Sequence, residues 1–511
     1  MADENTASRD GDAAWKLLLA DLQTRRATAV AMGGEERLMR RREAGRLDAR
    51  VRVDLLCDAG SFRELGALAG AGGLMPAPAD AFVAGSARID GRPVLVGAED
   101  FTVQGGSIGH GTHAKRVRLA RMAARERVPL VMLLEGAGER VSNAFERYPH
   151  APNDLQALVD LSGRVPTVAV VLGPSAGHGA LTAPLMDVVV MAEGASLFAA
   201  GPPLVEAATG EKVDANALGG PDVHVRTSGV AHAAVGSEAE ALAWVRRYLG
   251  YLPSNAWQYP PRHDAPEGAR SLDEMLDVLP ANPRTPYDAR DVIALVVDRE
   301  SAFELQREFG GALLTCLARL GGHPVAVVAS QPRVRAGALD RDAADKGARF
   351  LELAGAFHLP VLFLADTPGV LAGSAAERSG ALRAAARMFA AQSRLRSPKL
   401  HVTLRKAYGF GSSLMAMNPF DRQTTVLALP GATLGAMPAQ GGGDAAGVDD
   451  TTRTELAARE AGGPYSAADT LGYDDVIDPR DLRNALLDAL LLSTSRRAAS
   501  PRPRRQRGVR P

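Results

Sequence analysis

The sequence predicts an α/β protein that consists of two tandem copies of one domain, and two observations support this prediction. Short apolar segments entered from a proline, such as VPLVMLL from Val128 and LPVLFLA from Leu359, alternate with segments of helical spacing such as AKRVRLARMAARER. This alternation predicts parallel strands that are joined by right-handed crossover helices. The same order of segments then occurs a second time along the chain.

The internal repeat holds one register over a long stretch. ARIDGRPVLV from Ala87 matches ARLGGHPVAV from Ala318, and Lys115 then matches Lys346 without a gap. Pro129 matches Pro360 in the same register. After a one-residue insertion, VPTVAVVLGPSAGHGAL matches SPKLHVTLRKAYGFGSSL, and GASLFAAGP later echoes GATLGAMPA. Each copy is therefore expected to read strand, helix, strand, turn, strand and helix.

Domain boundaries follow from composition. The segment Tyr251–Ser271 is rich in proline and is expected to separate the two copies. We assign residues 1–260 to the first domain and residues 261–495 to the second. Residues 496–511 are rich in arginine and contain no acid. Such a tail could bind nucleic acid or anionic lipid, but a disordered, solvated tail is the favoured interpretation. The first dozen residues are also expected to lack structure.

The composition excludes several classes of protein. The 511 residues are 46% hydrophobic, enough for a large core, and contain 59 basic and 59 acidic side chains. The chain as a whole is thus not expected to bind nucleic acid or a membrane surface. Cys57 and Cys316 lie far apart, which indicates a reducing compartment and excludes a four-ligand zinc ribbon. Neither a signal peptide nor an apolar stretch of about 18 residues is present, so a cytoplasmic protein is expected.

The segment GPSAGHGA contains G-x-S-x-G, the pattern of a hydrolase nucleophile elbow, with Ser175 at its centre. The repeat argues against a nucleophile, because Ser175 matches Ala407, whereas Gly177 matches Gly409 and Gly179 matches Gly411. Both copies thus keep backbone freedom at a strand-to-helix turn and do not keep a hydroxyl. A simple tight turn is the alternative interpretation.

Two further motifs give only weak indications of a dinucleotide site and of a metal site. GHGTHA, from Gly109, has a dinucleotide-binding pattern with Glu135 in the place of a ribose-binding acid, but the second copy lacks those glycines. His110 and His113 could share a helix face, with His178 elsewhere in the chain. No third ligand has a recognisable spacing and the repeat supplies no equivalents, so no metal site is predicted.

Glycine turns at helix starts offer a different chemistry. They present backbone N–H groups at the positive end of the helix dipole, where a transient enolate or oxyanion is stabilised. Two copies would supply two oxyanion holes in one protein. Few reactions need two such anions held at once.

In its motifs the sequence resembles the carboxyltransferase (β) subunits of biotin-dependent acyl-CoA carboxylases. The resemblance is to the propionyl-CoA and methylcrotonyl-CoA carboxylase type. The resemblance covers about Gly45–Leu486. The segments that carry it, in order, are LDARVRVDLLCDAGSFRELG, EDFTVQGGSIG, LEGAGERV, GPSAGHGA, GPPLVEAATGEKVDANALGG, TSGVAH and LGYDDVIDPRDLRNAL. The resemblance implies two crotonase-like domains, the first for acyl-CoA and the second for carboxybiotin.

The same resemblance implies a reaction without a side-chain nucleophile. Carboxybiotin releases CO2, the biotin enolate takes the α-proton of the thioester, and the thioester enolate attacks CO2. Because the chain has neither an ATP-grasp region nor a biotinyl-lysine motif, the biotin carboxylase and the biotin carrier are expected on a partner subunit. In the family the first domain of one subunit meets the second domain of another, so a homo-oligomer, a hexamer built from dimers, is expected.

Carried over by position, the resemblance implies two oxyanion holes. Gly177 and His178 supply the amides of the first hole, and Phe410 and Gly411 supply those of the second. The implied acyl-CoA contacts are Gly136, Ala137, Gly138 and Ala176, and the implied biotin contacts are Gly369, Val370, Gly409 and Ser413.

The chain departs from the family pattern at both holes. The family usually has Gly-Gly at the first and Gly-Gly-Ala at the second, and here His178 and Phe410 each replace a glycine. An added side chain keeps the N–H donor but narrows the pocket. A decarboxylase of malonyl-type thioesters on the same fold, or a catalytically silent scaffold subunit, are therefore the alternatives to a carboxyltransferase.

Overall fold

The protein is described by a computed structural model that covers residues 3–70, 77–141, 153–264, 266–282, 284–495 and 501–503. The chain divides into two compact units. Unit 1 consists of Met1–Asp222 with Ala234–Arg246, and unit 2 consists of Val223–Ala233 with Arg247–Pro511. The change of unit at Arg247 lies close to the proline-rich segment in which the boundary was predicted.

The first sheet has eight strands among the described residues. They are β1 (Arg63–Glu64), β2 (Phe82–Ile89), β3 (Arg92–Glu99), β4 (Leu130–Gly136), β5 (Thr167–Ala176), β6 (Val188–Ala192), β7 (Ser196–Phe198) and β8 (Ala233–Val235). Their order is β1-β2-β3-β4-β5-β6-β8, with β7 paired to β5. The ladders from β3 to β6 are parallel, and β2 pairs with β3 antiparallel.

The second sheet repeats this arrangement. Its strands are β9 (Phe303–Leu305), β10 (Leu313–Leu320), β11 (His323–Ser330), β12 (Val361–Thr367), β13 (Lys399–Tyr408), β14 (Thr425–Ala428), β15 (Thr433–Gly435) and β16 (Asp475–Val476). The order is β9-β10-β11-β12-β13-β14-β16, with β15 paired to β13. The β4–β5 ladder shifts register between Leu134 and Gly136, and the β12–β13 ladder shifts between Ala365 and Thr367. The predicted duplication of one α/β unit is thus confirmed.

Helices connect and cover the strands. Before the second sheet they are α1 (Asp3–Val30), α2 (Glu35–Glu43), α3 (Ala49–Leu56), α4 (His110–Glu126), α5 (Asp154–Val159), α6 (Gly177–Leu185), α7 (Pro202–Thr209), α8 (Ala215–Gly219), α9 (Glu238–Leu249), α10 (Met275–Val278) and α11 (Ala289–Val296). The later helices are α12 (Arg341–Ala356), α13 (Ser374–Ser379), α14 (Ala381–Ser393), α15 (Gly409–Leu414), α16 (Ala439–Ala446), α17 (Asp450–Ala461), α18 (Gly463–Asp469) and α19 (Leu482–Thr494). As predicted, α4 and α12 are the crossovers between matching parallel strands.

The repeated lysines have the same structural role in both units. Lys115 on α4 donates hydrogen bonds to the backbone oxygens of Ala79 and Phe82, and Lys346 on α12 donates to those of Gln306 and Phe309. Burial lowers the pKa of Lys115 to about 8 and that of Lys346 to about 7. Each lysine therefore ties the segment that leads into the second strand of its sheet to the crossover helix.

The ends of the chain differ in part from the expectation. The first dozen residues were expected to lack structure, which is wrong, because α1 begins at Asp3. A run of Ala, Leu and Arg after residue 12 has high helix propensity, and it extends one helix over the polar start. Of the predicted tail, only residues 501–503 belong to the described part, where Pro501 is buried.

Cys57 and Cys316 are both free and buried. Within the described ranges, no helix combines the length and the apolar character that crossing a membrane requires.

Candidate functional site

In unit 1 the site is built around the turn from β5 into α6, residues Ala176–Gly179, called here the first turn. Ala176 is extended, and Gly177 begins α6 with a φ of +56°, a conformation that favours glycine. No side chain caps this helix start, and the first N–H groups of a helix have no partner within it. The first turn can therefore direct backbone donors at an anion.

The loop after β4 packs against the first turn. A Cβ added at Gly138 would lie 2.8 Å from the backbone oxygen of Ala176, and Gly138 has a φ of +84°. Gly136 is buried at the end of β4, whereas Ala137 is exposed and its amide donates to the backbone oxygen of Gly105. The structure thus brings together the residues for which acyl-CoA contacts were predicted.

Unit 2 contains the matching second turn, Tyr408–Gly411, between β13 and α15. Gly409 begins α15 with a φ of +52°, and again no side chain caps the helix start. A Cβ added at Gly411 would lie 2.7 Å from the Cα of Gly369, which has a φ of +122°. Val370 follows Gly369 and forms a parallel bridge with Leu339, and the backbone oxygen of Ser413 accepts a hydrogen bond from Gln392.

The two turns correspond residue by residue. Gly177 and Gly409 share the first helical position and nearly the same φ, so His178 corresponds to Phe410 and Gly179 to Gly411. Both predicted donor pairs therefore include the second residue of the helix, His178 in α6 and Phe410 in α15. The other predicted donor is the first helical residue, Gly177, in unit 1 and the third, Gly411, in unit 2. Phe410 is 45% exposed, and its ring lies 5.7 Å from that of Phe389, measured between centroids.

Ser175 is placed unfavourably for a nucleophile. It is fully buried in β5, where it pairs with Gly136 of β4 and Leu197 of β7. Its hydroxyl has no hydrogen-bond partner among the described residues. Among the described residues no base is therefore hydrogen-bonded to this hydroxyl, which agrees with the interpretation drawn from the repeat.

Glu135, the acid that a dinucleotide fold would use for ribose, is occupied by arginines. Its carboxylate is buried and lies 2.7 Å from Arg41 and 2.6 Å from Arg52. The N-cap of α4 is Gly109, the first residue of GHGTHA. The geometry thus gives Glu135 a structural role at the end of β4.

The structure brings together His113 on α4, Asp154 at the start of α5 and His178 on α6. The sequence analysis considered both histidines as metal ligands and predicted no site, and it did not identify Asp154. Nε2 of His178 lies 2.6 Å from Oδ1 of Asp154, and Nδ1 of His113 lies 3.6 Å from the same oxygen. The two imidazole rings meet edge to face, with centroids 5.1 Å apart. We call these three residues the His–Asp–His cluster. Their ligand atoms lie within 4.8 Å of one another, so the cluster could also hold a metal ion.

Charged neighbours define the state of this cluster. Burial alone would raise the pKa of Asp154, but His113, His178 and Arg116 hold it well below its usual range. Nε of Arg116 lies 2.6 Å from Oδ2 of Asp154. The carboxylates of Asp154 and Glu139 raise the pKa of His113, although burial lowers it. Asp154 is therefore ionised and holds the imidazole of His178 by a charge-assisted contact.

Comparisons with known proteins agree over nearly the whole chain. Residues 40–508 match the family model described as the carboxyl transferase domain. The chain is 36% identical over 502 residues to a propionyl-CoA carboxylase, carboxyltransferase subunit, of Haloferax mediterranei, with coverage of 94% of this chain and 97% of that protein. It is 35% identical to the methylmalonyl-CoA decarboxylase subunit alpha of Veillonella parvula, with coverage of 93% and 96%.

Among solved structures, the chain matches a transcarboxylase 12S crystal structure. That structure is described as a hexamer assembly with methylmalonyl-coenzyme A and methylmalonic acid bound. The TM-score is 0.89 at 33% identity, and the match covers 97% of this chain and 99% of the other. The similarity thus extends over both units.

Proposed function

Because the chain belongs to the carboxyl transferase family, we propose that it transfers a carboxyl group from carboxybiotin on a partner protein to the α-carbon of an acyl-CoA thioester. The chain is a biotin-dependent carboxyltransferase with two crotonase-like domains, as the resemblance implied.

In this proposal the first turn holds the acyl-CoA. The amides of Gly177 and His178 donate to the thioester oxygen, which carries negative charge once the α-proton has left. Gly136, Ala137, Gly138 and Ala176 line the approach. Losing one donor of a preorganised oxyanion hole typically costs roughly 3–4 kcal/mol of transition-state stabilisation. Backbone donors at a fixed turn need no reorganisation during the reaction.

The second turn receives the biotin. Biotin, when bound, supplies CO2 through its carboxylated ureido ring. Gly369, Gly409 and Gly411 carry no side chains of their own, so in this proposal a flat ring reaches the amides of Phe410 and Gly411 beside the half-exposed Phe410 side chain. Val370 and Ser413 flank that approach. The residues present therefore fit the ureido group.

One observation carries the proposal: the same uncapped glycine turn, with nearly the same φ at Gly177 and Gly409, opens a helix in both units. A reaction with two anions, one on each substrate, needs two such sites. Neither turn contains a serine, threonine, cysteine or lysine, and Ser175 is buried. The two turns thus correspond to the two anions of the proposed reaction, the thioester enolate and the biotin enolate.

The partners are proposed from the family to which the chain belongs. The biotin carboxylase and biotin carrier are provided by another polypeptide. Each chain supplies one half of each complete site to its neighbours in a homo-oligomer, for which we propose a hexamer. With both cysteines free, the protein suits the reducing cytoplasm.

The test is incubation of the chain with a biotin-carrier partner, ATP, labelled bicarbonate and a panel of acyl-CoA thioesters. Carboxylated product that requires all components supports the proposal. Binding of the partner without any product would instead identify a catalytically silent scaffold subunit.

A further inference from the structure

The His–Asp–His cluster is a feature of unit 1 alone. In the repeat, His113 corresponds to Ala344 on α12, and His178 corresponds to Phe410 on α15. Unit 2 forms the same sheet order and the same turn with these apolar residues. The fold therefore does not require the two histidines, and their convergence on one carboxylate points to a ligand.

The three side chains meet at one oxygen atom, Oδ1 of Asp154. Nε2 of His178 lies 2.6 Å from this oxygen, and Nδ1 of His113 lies 3.6 Å from it. All three potential ligand atoms lie within 4.8 Å of one another. A four-coordinate zinc ion lies about 2.0–2.1 Å from nitrogen and oxygen ligands, which places those ligands about 3.3 Å apart. An ion between the three atoms therefore requires each side chain to shift by about 1 Å or less.

A second carboxylate orients the ring of His113 toward this point. Nε2 of His113 lies 3.0 Å from Oε2 of Glu139. Because Glu139 accepts the proton of Nε2, the neutral ring directs the lone pair of Nδ1 at Asp154. Nδ1 and Oδ1 are too far apart for a hydrogen bond, and they face each other as two electron-pair donors. A cation between them removes this repulsion, and a carboxylate behind the imidazole is the usual arrangement around a metal.

The carboxylate of Asp154 is fixed from its other side. Nε of Arg116 lies 2.6 Å from Oδ2, so Oδ1 is left to the imidazoles. The side chain of Asp154 is fully buried, whereas 12% of His113 and 24% of His178 are exposed. The exposed edge of the two rings gives an ion a path into the cluster and leaves room for water as a fourth ligand.

We propose that the His–Asp–His cluster binds one divalent transition-metal ion, with Nδ1 of His113, Oδ1 of Asp154 and Nε2 of His178 as its ligands. Two imidazole nitrogens favour ions such as Zn²⁺ or Fe²⁺ over Mg²⁺ and Ca²⁺, which prefer oxygen ligands. The ion joins α4, α5 and α6 beside the first turn, because His178 is the second residue of α6. The metal site does not depend on carboxyl transfer and takes no part in the reaction proposed above.

The experiment uses the full-length chain after treatment with a chelator and its removal, with Zn²⁺ alone as the probe. Within the described ranges no second group of three such side chains converges in this way, so we expect calorimetry and elemental analysis to give one Zn²⁺ per chain. Bound Zn²⁺ should raise the melting temperature, since it binds the folded chain. Mg²⁺ at the same concentration should do neither.

The variants His113→Ala and His178→Phe introduce the residues that unit 2 has at the matching positions, so the fold accepts them. Each removes one ligand and should weaken Zn²⁺ binding by at least about a hundredfold. Glu139→Gln removes the charge behind the His113 ring and should weaken binding by about tenfold or more. With Co²⁺ in place of Zn²⁺, the visible bands of a four-coordinate site should appear in the wild type and be absent from both ligand variants.

The matched control is His110→Ala, a histidine of α4 outside the cluster, which should bind Zn²⁺ as the wild type does. Circular dichroism of each metal-free variant separates a lost fold from a lost ligand. The proposal is overturned if the wild type takes up no Zn²⁺. It is also overturned if folded His113→Ala and His178→Phe bind the ion as tightly as the wild type, because the ion is then held elsewhere.

Discussion

The close contact between Gly411 and Gly369 gives a sharp test of the second turn. In Gly411→Ala the new methyl carbon would lie 2.7 Å from the Cα of Gly369 and 3.0 Å from its carbonyl carbon. Carbon atoms in contact normally lie about 3.5–4.0 Å apart, so the two segments must separate by about 1 Å. Both partners are backbone atoms, and no side chain can rotate away. The N–H donor of residue 411 remains but is displaced.

A displacement of about 1 Å at a positioned group can cost about a hundredfold in rate, which corresponds to about 2.7 kcal/mol. Gly179→Ala is the matched control, since Gly179 occupies the equivalent position in the first turn. There the added carbon would meet Oε1 of Glu99 at 3.3 Å, and a side chain can yield by a few tenths of an ångström. We therefore expect a loss of about a hundredfold for Gly411→Ala and only about threefold for Gly179→Ala.

The assay separates the two half-reactions. Breakdown of the carboxylated carrier reports on the second turn, and carboxylation of the acyl-CoA reports on both turns. Gly411→Ala should slow both, with circular dichroism and oligomer size unchanged. Gly411→Pro, which also removes the donor, should be at least as slow. Equal rates for Gly411→Ala and the wild type, or equal losses for Gly411→Ala and Gly179→Ala, would refute a role for the backbone at Gly411.

Three further predictions concern other parts of the molecule. Ser175→Ala should keep most of the carboxyltransferase activity, because the repeat has Ala407 in its place; a loss of about a thousandfold with the fold intact would revive a nucleophilic serine. Burial lowers the pKa of His401 to about 4 although Met415 accepts from its ring, so the unfolded chain binds a proton first as the pH falls from about 6.5 to 4. The free energy of urea unfolding should therefore fall by up to about 3 kcal/mol over that window, and an unchanged drop in His401→Asn would contradict this origin. Light scattering should give a homo-oligomer, and a fully active monomer would reject shared sites between subunits.

The duplicated fold could be predicted because each matching segment of the repeat is recognised from residues that are neighbours in the chain. The match of Lys115 with Lys346, and of Gly177 with Gly409, places the same element at the same point in both copies. The uncapped glycine turns were predicted for the same reason, since a strand, a glycine and a helix are adjacent in the chain. What the sequence could not predict is how these segments approach other segments in space.

The His–Asp–His cluster illustrates that limit. His113, Asp154 and His178 lie on three separate helices, at spacings that match no ligand motif, and Asp154 has no counterpart in the aligned repeat segments. Only the packing of α4, α5 and α6 brings them together. The signals in the sequence were the two histidines that the sequence analysis considered as ligands, and the histidine at position 178, where the family usually has glycine.

The most direct test of the account is a single-turnover transfer from a carboxylated biotin carrier, labelled with [¹⁴C]carboxyl, to an acyl-CoA in the presence of this chain alone. We predict that the label passes to the α-carbon of the acyl-CoA, and that Gly177→Pro blocks this transfer while the label still leaves the carrier. Label that stays on the carrier with the wild-type chain, although the chain is folded and binds the thioester, would contradict the proposed carboxyl transfer.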